Sequence, residues 1–251
     1  MDNQVVVSKE SGKPYVLSSS IIAGAFIISA IIAGVTFYEI RANDNVITST
    51  GSAKKSVVAD SGKWVVVINR SIKASGVKEG YRAMDADTKL ATQFIQSKGF
   101  KPEDFTISPI FMSEDYSYNS NNQAGEKHYI LTETITVSSS DVSKITDISK
   151  SVSDLASSGA LISTQSLEYY YSKLPELRVS LLGDAIADAK ARASKLASYG
   201  GASIGKLKGA SSGVVQVTAP NSVDVSDYGS YDTSSINKDV MLTVKATFSL
   251  N

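Results

Sequence analysis

Residues 61–99 read SGKWVVVINRSIKASGVKEGYRAMDADTKLATQFIQSKG. The first part places Trp64, Val66 and Ile68 on one face of an extended chain, and Val65 and Val67 on the other. A strand apolar on both sides is covered on both. The period then changes. Val77, Tyr81, Met84, Thr88, Ala91 and Ile95 recur at spacings of three and four, one stripe of an amphipathic helix, which Leu90 and Phe94 widen. Gly99 ends it. A strand that feeds a long helix predicts helices layered on sheet, the α+β class.

Working outward, Ser61-Gly62 reads as a tight turn from an earlier strand over Val46–Val58. Downstream, Phe105, Ile107, Pro109 and Phe111 alternate with Thr106, Ser108 and Ile110 as one strand, with Pro109 marking an edge or bulge. Asn119–Gly125 is a polar turn, and Tyr129–Val137 returns as the partner strand of a hairpin. Ser140-Asp141 caps a helix carrying Val142, Ile145, Ile148, Val152 and Leu155, which Gly159 stops. Leu161–Lys173 is a strand with three consecutive tyrosines, Tyr169 to Tyr171. Pro175 opens a helix over Leu177–Tyr199, with Leu181, Leu182, Ala185, Ala189, Ala193, Leu196 and Ala197 inward. Lys206–Val217 is a strand. Pro220–Asn237 is a Ser/Asp/Tyr-rich loop with little to bury. Val240, Leu242, Val244, Ala246, Phe248 and Leu250 alternate to the end. The opposite face of this last strand carries Lys245 as its only charge. As an edge it would offer itself to a second copy, and as an interior strand it would have both neighbours satisfied. The expected fold is a mixed or antiparallel sheet with helices packed on it, in strand–helix–strand halves, preceded by one transmembrane helix.

That helix comes from Pro14–Tyr38, which holds no charged residue. Its apolar core, Val16–Val35, has the roughly 20 residues a bilayer crossing needs. Tyr15 and the Phe37-Tyr38 pair sit at the ends, where aromatic rings favour the interface, and Lys9 and Lys13 bias the N-terminus inward. The expected organisation is a cytoplasmic tail over 1–14, a signal anchor over 15–38, a linker over 39–45 and an extracytoplasmic domain over 46–251. A cleaved signal peptide is the rival, although its apolar region is usually shorter. Ala30 and Gly34 form a small-xxx-small pair that could pack two anchors together.

Composition excludes more than it nominates. The 251 residues contain no cysteine, one histidine (His128) and one tryptophan (Trp64). Disulfides, thiolate metal sites, a lipoprotein anchor and a cysteine nucleophile are excluded. Lysine plus arginine and aspartate plus glutamate both total 25, which argues against a nucleic-acid partner.

The segment Asp184–Leu207, DAIADAKARASKLASYGGASIGKL, joins an Ala-rich helix to LA-x-x-G and IG-x-hydrophobic. With Gly51-Ser52-Ala53, the Val57–Asp60 turn, Ser108-Pro109 and Ser158-Gly159-Ala160, it resembles the SIMPL (DUF541) domain over about Asn45–Asn251. The family often shows a Pro-Gly pair before the last strand; Ile236-Asn237-Lys238 stands there instead. The resemblance implies an envelope protein, extracytoplasmic, often oligomeric and sometimes linked to stress. It implies no catalytic residue and no cofactor.

Each chemical motif also reads more simply. Gly200-x-x-x-x-Gly205-Lys206 approaches a phosphate loop, but Leu207 replaces the Ser/Thr and helix precedes strand, so it reads as a helix cap. Asp85-x-Asp87 lacks a calcium loop's glycine and glutamate and reads as a solvated helix face. Glu114, Asp115, Glu126 and Glu133 would serve a carboxylate hydrolase only if two of them faced each other in a pocket. His128 reads as a lone, partly exposed side chain. Of Tyr169–Tyr171, at least one belongs to the core, and Tyr116 and Tyr118 could join an aromatic contact patch. The expectation is a non-enzymatic binding or self-assembly module without catalytic, cofactor or metal residues. It would be held in the inner membrane by residues 15–38, a homo-oligomer with room for another envelope partner. The alternatives are an exported hydrolase and a solute-binding receptor.

Overall fold

A computed structural model describes residues 13–42, 45–116, 127–157, 159–223 and 226–251. The tail through residue 12, Tyr118, the Asn119–Gly125 turn, Glu126 and Ser158 lie outside them. The first helix, α1 (Lys13–Ala42), contains an apolar span over Ser18–Glu39, none of it buried. It is apolar on every side: Ile21, Phe26, Ile31 and Val35 are all exposed.

The strands and helices after it are β1 (Val46–Val58), β2 (Ser61–Lys73), α2 (Val77–Ser97), β3 (Phe105–Ile107), β4 (Phe111–Glu114), β5 (His128–Ser139), α3 (Val142–Lys150), α4 (Val152–Ser157), β6 (Ile162–Tyr170), α5 (Leu174–Tyr199), β7 (Ile204–Ser212), β8 (Gln216–Thr218), β9 (Ser230–Tyr231) and β10 (Asn237–Leu250). The strands form two sheets. One is ordered β3-β5-β2-β6, with β4 also on β5; its pairings are antiparallel. The other is ordered β1-β10-β8-β9, with β7 also on β10, and its β8–β9 pair is parallel. The class is therefore α+β with mixed and antiparallel sheet, as the sequence predicts. By contact the chain divides into two compact units: Met1–Thr50 with Ala189–Ser211 and Lys245–Asn251, and Gly51–Asp188 with Ser212–Val244.

In the second unit, α2 lies on β2 and β5, α3 on β2, and α4 on β6. The core they enclose centres on Trp64, with Val66, Ile68, Met84, Ile95, Leu131, Ile135 and Ile145. Trp64 is fully buried, and its indole N–H donates to the Thr164 hydroxyl at 3.0 Å. Asp141 caps α3 by accepting from the Lys144 amide. A second cluster joins Leu177 and Leu181 of α5 to Val217, Val240 and Leu242. Along α5 the buried positions run Leu177, Leu181, Ala185, Ala189, Ala193 and Ala197, a strict four-residue row that narrows from leucine to alanine. Leu196, expected inward, is exposed.

Several expectations are corrected. The buried row of α2 is Gly80, Met84, Asp87, Ala91 and Ile95, whereas Tyr81 and Leu90 are exposed. The helix is rotated because Gly80 lets β2 come close: a Cβ there would stand 2.8 Å from Ile72 Cγ2. The strand expected over Phe105–Phe111 is two short strands, because the Ser108 hydroxyl takes the Thr134 N–H while its own N–H goes to Thr134 O. The single helix expected over Val142–Leu155 breaks at Ser151. Lys206–Val217 likewise divides into β7 and β8. The later part of the Pro220–Asn237 loop is engaged: the Tyr169 N–H reaches Thr233 O at 2.7 Å and the Ala59 N–H reaches Ile236 O at 2.8 Å. Finally, β10 is interior, with β1 on one side and β7 and β8 on the other, so it offers no edge to a second copy.

Candidate functional site

Register brings the main polar cluster together. Lys63 of β2 stands opposite Glu168 of β6, and Ser61 opposite Tyr170. Lys63 Nζ is 2.7 Å from Glu168 Oε2 and 5.7 Å from the Tyr170 ring centroid. The Tyr170 hydroxyl donates to the same carboxylate. Its ring lies 6.0 Å from that of Tyr231 on β9, tilted by 34°. The Tyr231 hydroxyl accepts the Tyr171 N–H at 3.1 Å. Beyond Tyr231 lies Lys238, a fully buried cation. Its ammonium donates to Asp232 O at 2.5 Å, stands 3.7 Å from Asp232 Oδ2 and lies 5.8 Å from the Tyr231 ring. Nearby, Asp60 accepts both the Ser172 amide and hydroxyl at 2.8 Å.

The electrostatics fix the charge state of most of this cluster. Lys63 and then Tyr170 hold the Glu168 carboxyl down to about 2. Glu168 in turn raises both Lys63 and Tyr170, so ammonium and phenol keep their protons. Burial works against ionising Asp232, but donors from Ser234 and Ser235, with Lys238, bring it to about 2. Burial lowers Lys238, opposed by Asp232. Acid–base catalysis wants a group that titrates near the working pH; Glu168, Tyr170, Lys63 and Asp232 all move away from neutrality. Lys238 alone moves toward it, and it is sealed from solvent. The adjoining pocket, about 300 Å³, is lined by Val217, Thr218, Ser230, Tyr231 and Asp232 among others, and not by Lys238. The cluster can hold chain segments together and present a tyrosine-rimmed surface.

A second ion pair, buried at Asp87 and half-buried at Arg70, corrects the reading of Asp85-x-Asp87. Asp85 is solvated and meets Lys89. Asp87 faces inward, and Arg70 forks onto it, Nε at 2.6 Å and a terminal nitrogen at 2.9 Å. Next to it the Thr88 hydroxyl donates to Glu133, itself buried. Arg70 also lines an open groove of about 390 Å³ with Lys73, Glu79, Gly80 and Leu161. Sequence reasoning missed this pair; its signal was that Asp87 lies in register with Met84 and Ala91 on the buried row.

The other nominated residues separate. Gly200 and Gly201 close α5, Gly201 with φ of +74°, and the Ala202 amide returns to Ala197 O, so the helix-cap reading holds. Glu114 meets Lys127 at 3.4 Å, and the Asp115 amide pairs with His128 O. Glu114 and Glu133 stand opposite Tyr129 and Ile68 respectively, on different strands and in different surroundings. His128 is half-buried at the start of β5. Tyr169 is the core tyrosine and shares a hydrogen bond with Thr146 at 2.8 Å, while Tyr116 is exposed.

With this geometry in view, one family model matches residues 47–248: SIMPL, described as a protein of unknown function (DUF541). No curated protein matches the chain.

Proposed function

The chain belongs to the SIMPL family, and from that premise we propose that it is a single-pass membrane protein whose folded part works outside the cytoplasm as a non-enzymatic binding and self-assembly module. The observation that carries this reading is α1. A helix apolar around its whole circumference, with nothing buried against it, is unstable in water and stable in hydrocarbon. Lys9 and Lys13 orient it N-terminus inward. Envelope or oxidative stress, which the family resemblance implies, is the physiological setting of the proposal.

Self-association has support at the outer edge of the first sheet. There β3 and β4 pair only with β5 among the described residues, leaving backbone groups open beside exposed Ile107, Phe111 and Met112. An apolar open edge invites a further strand, and the proposal takes that strand from a second copy. Anchors in one plane raise its effective concentration.

The test is protease added to intact cells with an outer membrane made permeable, followed by sequencing of the mature N-terminus. Digestion of the folded part, with residues 15–38 retained, is expected. A protected domain overturns the orientation, and a mature chain that starts near residue 31–35 overturns the anchor.

A further inference from the structure

The charges of this neutral chain are sorted. Beyond residue 44, the unit that contains the end of α5, most of β7 and the end of β10 (residues 45–50, 189–211 and 245–251) holds Lys190, Arg192, Lys195, Lys206, Lys208 and Lys245 and no acidic side chain, while its segment before residue 45 carries Asp2, Glu10, Glu39 and Asp44 against Lys9, Lys13 and Arg41. All six are exposed. The other unit has sixteen basic against twenty-one acidic residues. Tyr199 and Leu207 are exposed among the cations, and Lys195 Nζ lies 5.8 Å from the Tyr199 ring. The nearest acids along α5, Asp184 and Asp188, fall before this stretch, and Asp188 accepts the Ser52 amide. Helix-end compensation does not account for the set, because the last turn of α5 carries no basic residue. Lysines on an edge strand deter unwanted pairing, but that concerns only Lys206 and Lys208.

The same unit receives the chain from the anchor. Helix α1 ends at Ala42, and Asn45 is already bonded through its carbonyl to the Leu250 amide at 2.9 Å. Three residues reach at most about 11 Å. Ser203, which exchanges both backbone hydrogen bonds with Asn251, immediately precedes β7. Lys206 and Lys208 follow about 10 and 17 Å further along an extended strand. A headgroup layer is roughly 5–8 Å thick and its field extends another ~8 Å. The start of β7 is therefore held within range of the lipid surface, and Lys206 and Lys208 reach it when the strand lies along that surface.

We infer that this basic, tyrosine-bearing unit docks on anionic lipid headgroups of the membrane that holds α1, fixing the folded part against the bilayer. Lysine and arginine bind the phosphates electrostatically, and Tyr199 takes the interfacial position that aromatic rings favour. The inference rests on the anchored reading, and the experiment separates the two.

Full-length protein carrying Ser198→Cys, its only thiol, is labelled with an environment-sensitive fluorophore. It is reconstituted into vesicles of phosphatidylcholine alone or mixed with phosphatidylglycerol, each with a lipid-borne quencher. Flotation with pure phosphatidylcholine vesicles reads the anchor; quenching reads the docking. The expected result is flotation on both lipids, with strong quenching only on the anionic mixture and relief by high salt. Lys195→Gln/Lys206→Gln/Lys208→Gln should float equally well and lower the docked-to-undocked ratio about a hundredfold. Flotation with equal quenching on both lipids, or quenching unchanged in the triple variant, overturns the docking and leaves the anchor standing. Failure to float on neutral lipid overturns the anchor itself. A salt-sensitive change in the fluorophore's emission without lipid quenching, equal on both lipids, would overturn the docking and assign the patch to the acidic unit of a second copy.

Discussion

Replacing Trp64 by alanine tests the central packing claim. A tryptophan buries roughly 150–250 Å². At about 25 cal/mol per Å² that is roughly 4–6 kcal/mol of transfer free energy. Alanine keeps a small share, and the surrounding Val66, Ile68, Met84 and Ile145 relax only partly into the space, so Trp64→Ala should cost about 3–5 kcal/mol. The hydrogen bond contributes little of this. Its acceptor, Thr164, is exposed and can turn to water once the indole is gone. Trp64→Phe should therefore cost only about 1–2 kcal/mol. The assay is urea denaturation of the detergent-solubilised chain followed by far-UV circular dichroism, since the variants lose the only tryptophan. The midpoint should fall while the slope is unchanged. A cost below about 1 kcal/mol for alanine, or equal costs for alanine and phenylalanine, would refute the packing argument.

Asp87→Ala strips the partner from Arg70 and should cost about 2–4 kcal/mol, whereas Arg70→Met/Asp87→Leu should cost less than Asp87→Ala alone, read from the same denaturation curves. Gly80→Ala should destabilise by about 1–3 kcal/mol although alanine is the better helix former, because its Cβ meets Ile72 and Leu131. Glu168 is depressed from 4.5 to about 2 in the folded chain, so its contribution is complete above about pH 4.5 and is lost as pH falls toward 2. Glu168→Gln should remove that part of the acid-induced loss, measured as midpoint against pH. Phe111→Lys/Met112→Lys should lower the mass of the assembly in mild detergent with the circular dichroism spectrum unchanged, if association follows the β3–β4 edge.

Much of the fold was legible because the decisive segments bury one face. In β2, Trp64, Val66 and Ile68 could be placed from alternation alone, and the strict four-residue row of α5 was largely visible in its leucines and alanines. Legibility failed where a local hydrogen bond or a close approach overrode the pattern. Ser108 splits one strand in two, and Gly80 turns α2 so that Asp87 lies inward. Nor could alternation tell an edge from an interior strand: β10 has the same pattern in either place, and its neighbours are set by β1, almost 200 residues away. The Lys63–Glu168–Tyr170 cluster and the Lys238–Asp232 pair were illegible for a related reason. Each needs the β2–β6 register or the course of the loop before β10, and neither leaves a spacing in the sequence.

The position of β10 between β1 and β7–β8 has a consequence for biogenesis. The β1 strand pairs with one made almost 200 residues later: Asn45 with Leu250, and Thr48 with Thr247. At about 5–20 residues per second, β1 waits roughly 10–40 s for its neighbour. Throughout that interval the second sheet has no centre, and the backbone groups that β1 offers to β10 stay unpaired. Closure is a late event that depends on the arrival of β10. Truncation within β10 would therefore leave the second sheet without its central strand and its remaining strands open to proteolysis.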